Sequence, residues 1–195
     1  NVNAMIAAGN PFLYTPNMDA LANDGIRFTN AYCTSPVSGP SRASIVTGLM
    51  AREAGVEWND NSKLSEGIHT VGDLLGENGY RTVWAGKWHI PEIYPQRSKH
   101  EIKYLHGFEL LPFWDAPNKH WLLGAETDPP LTDAVVSFLD GYDKREKPLF
   151  LAVSYHNPHD ICMYPRKVGW ETMSDSLLNI RPFGKYKLPE PMGVH

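Results

Sequence analysis

Three segments of the chain have a pattern of polar and apolar residues that is typical of helices. In the first two segments a threonine precedes the pattern and a glycine follows it, as at Thr70 and Gly79, which favours a capped helix. The apolar residues that share one face of the third segment are Ala134, Val135, Phe138 and Leu139. The caps thus predict helices over residues 15–23 and 70–78, and the apolar face predicts a helix over 132–142.

Other apolar runs are too short for helices and have the pattern of strands. Residues 26–32 alternate well enough for a short strand, whereas 82–85 and 149–154 are continuous apolar runs, typical of buried strands. Residues 91–130 are rich in Pro, Trp and His and predict long loops. The succession of strand, loop, helix and strand predicts an α/β fold with a mostly parallel sheet covered by helices.

Composition and charge indicate a globular protein and argue against two kinds of partner. Of the 195 residues, 42% are hydrophobic and 21% are charged. The formal net charge of −4 gives no basic surface for nucleic acid, and no apolar run approaches the roughly 20 residues of a membrane span. Cys33 and Cys162 lack the spacing of a metal site; we expect two buried free thiols, with a disulfide between them as the alternative.

The run from Ser38 to Gly48 carries the strongest indication of chemistry. It reads Ser-Gly-Pro-Ser-Arg-Ala-Ser-Ile-Val-Thr-Gly. Pro40 suits the first turn of a helix, so Ser38 would lie at the N-terminus, where unpaired N–H groups and the helix dipole favour an anion. Arg42, one turn further, can return its guanidinium to the same place. A simple capped helix without a ligand is the alternative that these residues leave open.

Two further groups of ionisable residues directly follow the predicted buried strands. Lys87 and His89 lie in Gly-Lys-Trp-His after the first strand, and His156 and His159 lie in His-Asn-Pro-His after the second. Ligands of parallel sheets bind at the carboxyl ends of strands, so both groups are candidates for a binding site. The alternatives are solvated surface residues in the first loop and a structural pair of histidines in the second.

These motifs resemble those of the type I sulfatase family. The family signature is Cys or Ser, any residue, Pro-Ser-Arg, four residues and Thr-Gly, and the run that begins at Ser38 resembles its serine form, known from bacterial members. The run that ends at His89 is similar to the family's Gly-Lys-Trp-His element. The run that ends at His159 is similar to its His-x-Pro-His element, especially in the sulfamidase-like branch.

The resemblance implies how the nucleophile would be formed and held. Ser38 would be oxidised to formylglycine by an anaerobic maturase, and one hydroxyl of its hydrate would attack sulfur. Arg42 would hold the formylglycine in place. His89 would accept the proton when sulfate is expelled in the second half of the reaction.

The same resemblance implies hydrolysis of a sulfate ester, or of an N-sulfate, on a sulfated carbohydrate. Lys87 and His159 would bind the sulfate, His159 would also protonate the leaving group, and His156 is a weaker candidate for substrate binding. Two alternatives stay open. One is a phosphatase or phosphonate hydrolase of the same superfamily, and the other is a catalytically inactive, glycan-binding relative.

Fold, cofactor and domain organisation follow from the resemblance as expectations. It implies the sheet of the alkaline phosphatase superfamily, mixed but mostly parallel, sandwiched by helices and incomplete in this chain. It also implies Ca²⁺ or another divalent cation, with Ser38 as formylglycine the one ligand found here. We therefore expect residues 1–195 to be the N-terminal portion of a catalytic domain, in a periplasmic or secreted protein.

Overall fold

Five helices and four strands occur in the part of the chain that the structure describes. The computed structural model describes residues 15–60, 62–91, 102–112, 127–143, 145–157 and 159. The helices are α1 (Pro16–Asp24), α2 (Ser38–Thr47), α3 (Ala51–Ala54), α4 (Val71–Glu77) and α5 (Asp128–Asp140). The strands are β1 (Arg81–Gly86), β2 (Tyr104–Leu105), β3 (Phe108–Leu110) and β4 (Leu149–Ser154). Within these ranges, none of the helices combines the length and the apolar character of a membrane span.

The four strands form one sheet in the order β2-β3-β1-β4. β1 runs parallel to β3 and to β4, and its register pairs Arg81 with Leu149 and Gly86 with Ser154. The pairing of β2 with β3 is antiparallel. The predicted α/β fold with a mostly parallel sheet is confirmed, and β1 and β4 end side by side at the same edge.

β1 is buried on both faces of the sheet because helices cover each side. On one face Trp84 joins a cluster with residues of α2, α3 and β3, among them Ala43, Val46, Ala54 and Phe108. On the other face Val83 and Ala85 pack with Leu131 and Val135 of α5. Full burial of one large apolar side chain contributes roughly 1.5–3 kcal/mol. Helices on both faces thus explain the continuous apolar run in β1.

α4 begins at a capping box, as the sequence predicts. The side-chain oxygen of Thr70 accepts hydrogen bonds from the N–H groups of Gly72 and Asp73 at 3.1 and 3.3 Å. The carboxylate of Asp73 in turn accepts one from the N–H of Thr70 at 2.8 Å. Such a cap contributes on the order of 1 kcal/mol. The predicted helix over 70–78 is confirmed.

The prediction of long loops over residues 91–130 is wrong where β2 and β3 form a hairpin. Its turn is His106-Gly107, with φ of 47° and 78°, as a primed two-residue turn requires. The hydroxyl of Thr70 donates to the carbonyl of His106 at 2.7 Å, and a Cβ at Gly107 would collide with the backbone of Asp73. Strands of two and three residues are too short to produce a periodic pattern, so the sequence does not indicate them.

The helix predicted over 132–142 exists, but its start and its buried face differ from the prediction. α5 begins at Asp128 because two prolines follow in its first turn, where a missing N–H has little cost. Leu131 is 1% exposed and lies one turn before the buried Val135, whereas Leu139 is 47% exposed. The buried face is therefore shifted by one turn towards the N-terminus.

Residues 26–32 do not form the predicted strand. The segment is irregular, and its large apolar side chains are exposed, namely Ile26, Phe28 and Tyr32. A strand needs a neighbour that satisfies its backbone groups, and none of the described strands pairs with this segment. The expected burial of the adjacent Cys33 is also wrong, because the residue is exposed; Cys162 lies outside the described residues.

The amino end of β1 is fixed by an ion pair across the sheet. Nε and Nη2 of Arg81 each donate to a carboxylate oxygen of Glu109 at 2.9 Å, and this interaction raises the pKa of Arg81 above its usual value. The guanidinium also lies 5.0 Å from the centre of the Phe138 ring. These contacts lie at the end of β1 opposite to the candidate site.

Candidate functional site

Ser38 is the first residue of α2, at the positive end of the helix dipole. The N–H of Gly39 donates to Oδ1 of Asn59 at 2.7 Å. Pro40, which has no N–H to satisfy, is buried in the first turn, and Gly48 ends the helix with φ of 72°. The predicted helix, with a proline in its first turn and a glycine after its end, is confirmed.

The hydroxyl of Ser38 contacts the imidazole of His89. Oγ lies 2.6 Å from Nδ1, a hydrogen bond whose donor depends on the tautomer of the ring. His89 has φ of 52°, a left-handed conformation that costs a non-glycine residue on the order of 1–3 kcal/mol. If Ser38 is oxidised to formylglycine, an oxygen on the same Cβ replaces Oγ. The contact thus places a proton-transferring ring beside the candidate reacting atom.

Arg42 connects α2 to the ends of β1 and β4. Its Nη1 donates to the carbonyl of Lys87 at 2.8 Å and to Oγ of Ser154 at 2.9 Å. The N–H of Lys87 donates to the carbonyl of Ser154 at 2.7 Å. Arg42 therefore holds the backbone that carries Lys87 and His89. Ser154 belongs to no motif, and the sequence does not identify it.

Lys87 is buried, not solvated, because the residue is only 4% exposed. The next residue, Trp88, is fully buried and packs edge-on against Trp84 with ring centroids 4.9 Å apart. Trp88 also stacks on His106, with centroids 5.9 Å apart and an interplanar angle of 11°. The packed indole of Trp88 fixes the backbone between Lys87 and His89. The alternative of a solvated surface residue is therefore wrong for Lys87.

The loop after β4 is held by Asp128, which belongs to no sequence motif. The N–H of His156 donates to Oδ1 of Asp128 at 2.8 Å, and the N–H of Asn157 donates to Oδ2 at 3.1 Å. His156 is 2% exposed, whereas His159 is exposed and its N–H donates to the carbonyl of His156. His156 is thus part of the framework of the loop, and His159 is accessible to a ligand.

A cleft of about 430 Å³ opens beside Ser38. Its walls combine polar and apolar side chains, among them Ser38, Ser41, Arg42, Ser154, Trp84 and Val153. Clefts of this size are typical of small-molecule sites, in which a few polar groups orient the ligand and apolar walls bury it. The cleft thus provides room for a small organic group next to the anion-favouring end of α2.

The described residues around Ser38 do not by themselves fit a calcium ion. Ca²⁺ takes about six to eight oxygen ligands, with carboxylates prominent among them. Within the described ranges, no group of three or more His, Cys, Asp or Glu side chains could hold a metal. The imidazole of His89 and the guanidinium of Arg42 are poor ligands for a hard cation.

The sheet, with its candidate groups at the carboxyl ends of β1 and β4, has the alkaline-phosphatase-like architecture of its structural neighbours. Within that fold class, the model of the sulfatase family matches residues 1–173. The chain belongs to the sulfatase family.

Three known proteins illustrate the similarity. The N-acetylglucosamine-6-O-sulfatase of Bacteroides thetaiotaomicron is 36% identical over 172 residues, which are 85% of this chain and 30% of that protein. The structure of a 2-O GAG sulfatase has a TM-score of 0.58 and 28% identity, over 81% of this chain and 33% of that one. A phosphonate monoester hydrolase of Agrobacterium radiobacter has a TM-score of 0.59 but 22% identity, over 78% and 38%, and shares the fold alone. The chain spans about a third of the length of these proteins.

Proposed function

We propose that the protein carrying this chain is a sulfatase that hydrolyses sulfate esters, with Ser38 converted into the formylglycine nucleophile. The single observation that supports this most is the 2.6 Å contact between Ser38 and His89 at the N-terminus of α2. A nucleophile there has a proton acceptor beside it and lies at the positive end of the dipole of α2, which favours a developing anion. A formylglycine-generating maturase is the partner that this modification requires.

The other residues of the site have distinct tasks in this proposal. Lys87 binds the sulfate group, and Arg42 holds the loop and the nucleophile in register through its bonds to Lys87 and Ser154. His89 accepts the proton of the remaining hydroxyl when sulfate is expelled, and His159 binds sulfate and protonates the leaving group. His156, a weaker candidate for substrate contact, supports the loop.

Sulfated carbohydrate is the substrate class we propose. The name of the relative from Bacteroides thetaiotaomicron refers to a 6-O-sulfated amino sugar, and this favours an O-sulfate over an N-sulfate. Polymers of such sugars occur outside the cytoplasm, and this agrees with a periplasmic or secreted protein.

We further propose that residues 1–195 form the N-terminal portion of a catalytic domain, completed by segments beyond this chain. The support is its coverage of about a third of its relatives. The calcium ion of the family would then bind the formylglycine of Ser38 together with ligands from outside the described residues, since these alone do not fit it.

The test is product release by the protein prepared with and without the maturase. We expect the matured protein to release sulfate from a 6-O-sulfated amino sugar, and Ser38→Ala to abolish this release. Ser62→Ala, which removes an exposed hydroxyl that donates to the carbonyl of Trp58, should have no effect.

Three outcomes would contradict the proposal in different ways. Release of phosphonate but not of sulfate would indicate the phosphonate hydrolase, whose fold this chain shares. Release of sulfate from an N-sulfated sugar but not from a sulfate ester would indicate an N-sulfatase. Sugar binding without turnover by a protein whose Ser38 stays unmodified would indicate a glycan-binding relative.

A further inference from the structure

We propose that Asp128 is a positioning residue of the site, which fixes the loop of His156 and His159 so that the leaving group can be protonated. The inference rests on the proposed sulfatase function. Asp128 lies outside every motif and 28 residues before His156 in the chain. Its assignment comes from the contacts of its carboxylate.

Both carboxylate oxygens of Asp128 bond the backbone at the start of this loop. Oδ1 accepts from the N–H of His156 at 2.8 Å, and Oδ2 accepts from the N–H of Asn157 at 3.1 Å. Hydrogen bonds to an ionised acceptor are the stronger kind. Oδ1 also lies 3.5 Å from Nδ1 of His156, whose ring is buried. One carboxylate thus sets the path of two residues and faces the ring of the first.

The position of Asp128 is itself fixed by α5. The two residues that follow it are prolines, which lack the N–H groups that commonly attract an acidic side chain at a helix start. Leu131 is 1% exposed and anchors the first turn on the sheet. Oγ1 of Thr132 donates to the carbonyl of Asp128 at 2.8 Å and lies 3.0 Å from Oη of Tyr155. A packed helix therefore supplies the support, and such support is more precise than that of a loop.

Other hydrogen bonds hold the loop on either side of the contacts with Asp128. On one side Ser154 accepts hydrogen bonds from Arg42 and Lys87, and on the other the N–H of His159 donates to the carbonyl of His156 at 3.0 Å. Without the carboxylate of Asp128, the exposed imidazole of His159 would sample more positions. A proton donor must stay within hydrogen-bond reach of the leaving atom. The loss of kcat in a variant without this carboxylate should therefore be greatest for substrates whose leaving group most needs a proton.

The test compares two sulfate esters that differ in their need for a proton. 4-Nitrophenyl sulfate has a good leaving group, whereas a sugar sulfate has a poor one. For Asp128→Ala we expect kcat on the sugar sulfate to fall by about tenfold or more, and on the aryl sulfate by at most about threefold. Asp128→Asn, which keeps one acceptor oxygen, should lower kcat on the sugar sulfate by less than Asp128→Ala does. Asp133→Ala, which removes an exposed carboxylate of the same helix, should leave kcat on both esters unchanged.

A second readout does not depend on activity. Amide hydrogen exchange at His156 and Asn157 should become faster in Asp128→Ala and stay unchanged in Asp133→Ala. Equal losses on both esters with a parallel fall in Tm, or unchanged exchange at these two amides, would overturn the inference. Failure of the wild-type protein to release sulfate from either ester would instead refute the proposed function, and the exchange rates would still decide whether Asp128 fixes the loop.

Discussion

The imidazole of His89 touches the hydroxyl of Ser38 although 51 residues separate them in the chain. Its left-handed backbone is held in place by Trp88 and Ile90, which are 0% and 2% exposed. Strain that the surrounding packing maintains is a common feature of functional sites. A change of the His89 side chain should therefore act on the reaction more than on the fold.

His89→Ala should lower kcat/KM for sulfate esters by about 10²-fold or more, the usual scale for the loss of a proton-transferring group. Tm should change little because the residue is only partly buried. His69→Ala removes an exposed imidazole that lies 3.5 Å from Glu77 and serves as the matched control. Similar, small effects of both variants in steady-state kinetics would mean that His89 is not part of the reacting centre.

Some site residues could be predicted from the sequence and others could not, for a physical reason. Lys87 and His89 lie in a short motif directly after a strand, so local spacing identifies them. Ser154 and Asp128 act through contacts over 112 and 28 residues, to Arg42 and to His156. Contacts between segments far apart in the chain depend on the register of the sheet and on the start of α5, and neither could be predicted from the sequence alone.

The elements that carry the site meet where β1 and β4 end. Gly86 closes β1 with φ of 87°, and a Cβ there would collide with the carbonyl oxygen of Ser154 and lie 2.6 Å from the side chain of Leu131. Because Gly86 has no side chain, the two strand ends approach closely enough for the N–H of Lys87 to reach Ser154. Position 86, the first of Gly-Lys-Trp-His, thus requires glycine for steric reasons.

Gly86→Ala should lower both stability and activity. The added Cβ forces β1 away from β4, and strain of this kind costs on the order of 1–3 kcal/mol, to which the positive φ adds. The control is Gly79→Ala, at a φ of 86° but with no atom within 4 Å of the added Cβ. Denaturant unfolding should show the larger loss for Gly86→Ala. Equal losses in the two variants would show that backbone conformation, and not close approach, is what requires glycine at this position.

Prediction succeeded for elements with strong local signals and failed for those that depend on neighbours. α4, with its capping threonine, and β4, with six consecutive residues of strand pattern, were predicted at the right places. The hairpin of β2 and β3 was not, because its short strands are stabilised by pairing and by the contact of its turn with Thr70. Residues 26–32 show the converse: a strand-like pattern without a described partner stays irregular.

At the scale of the molecule, the described site is one wall of a larger one in our proposal. β4 lies at an edge of the described sheet, and Ile45 and Val153, two of the apolar residues of the cleft, are 72% and 37% exposed. The chain covers about a third of the length of its relatives. The remaining oxygen ligands of a calcium ion would come from the rest of such a protein.

Residues 1–195 expressed alone should therefore bind Ca²⁺ weakly and without defined stoichiometry. The described groups offer too few oxygen ligands for a hard cation, and in our proposal the other ligands lie beyond this chain. Calorimetric titration of this chain and of the longer protein that carries it should show a defined site only in the longer one, weakened there by Ser38→Ala. A stoichiometric site in the 195-residue chain would contradict the proposal that it is a partial catalytic domain.

The conversion of Ser38 into formylglycine is the central claim, and the mass of its peptide tests it most directly. The protein is produced with an anaerobic maturase and digested, and the mass of the peptide that contains Ser38 is measured, with the same peptide from protein made without the maturase as the reference for unmodified serine. We expect a peptide lighter by two hydrogen atoms than its serine form, in a fraction that rises in step with sulfatase activity. A fully active enzyme whose Ser38 peptide keeps the mass of unmodified serine would contradict the account.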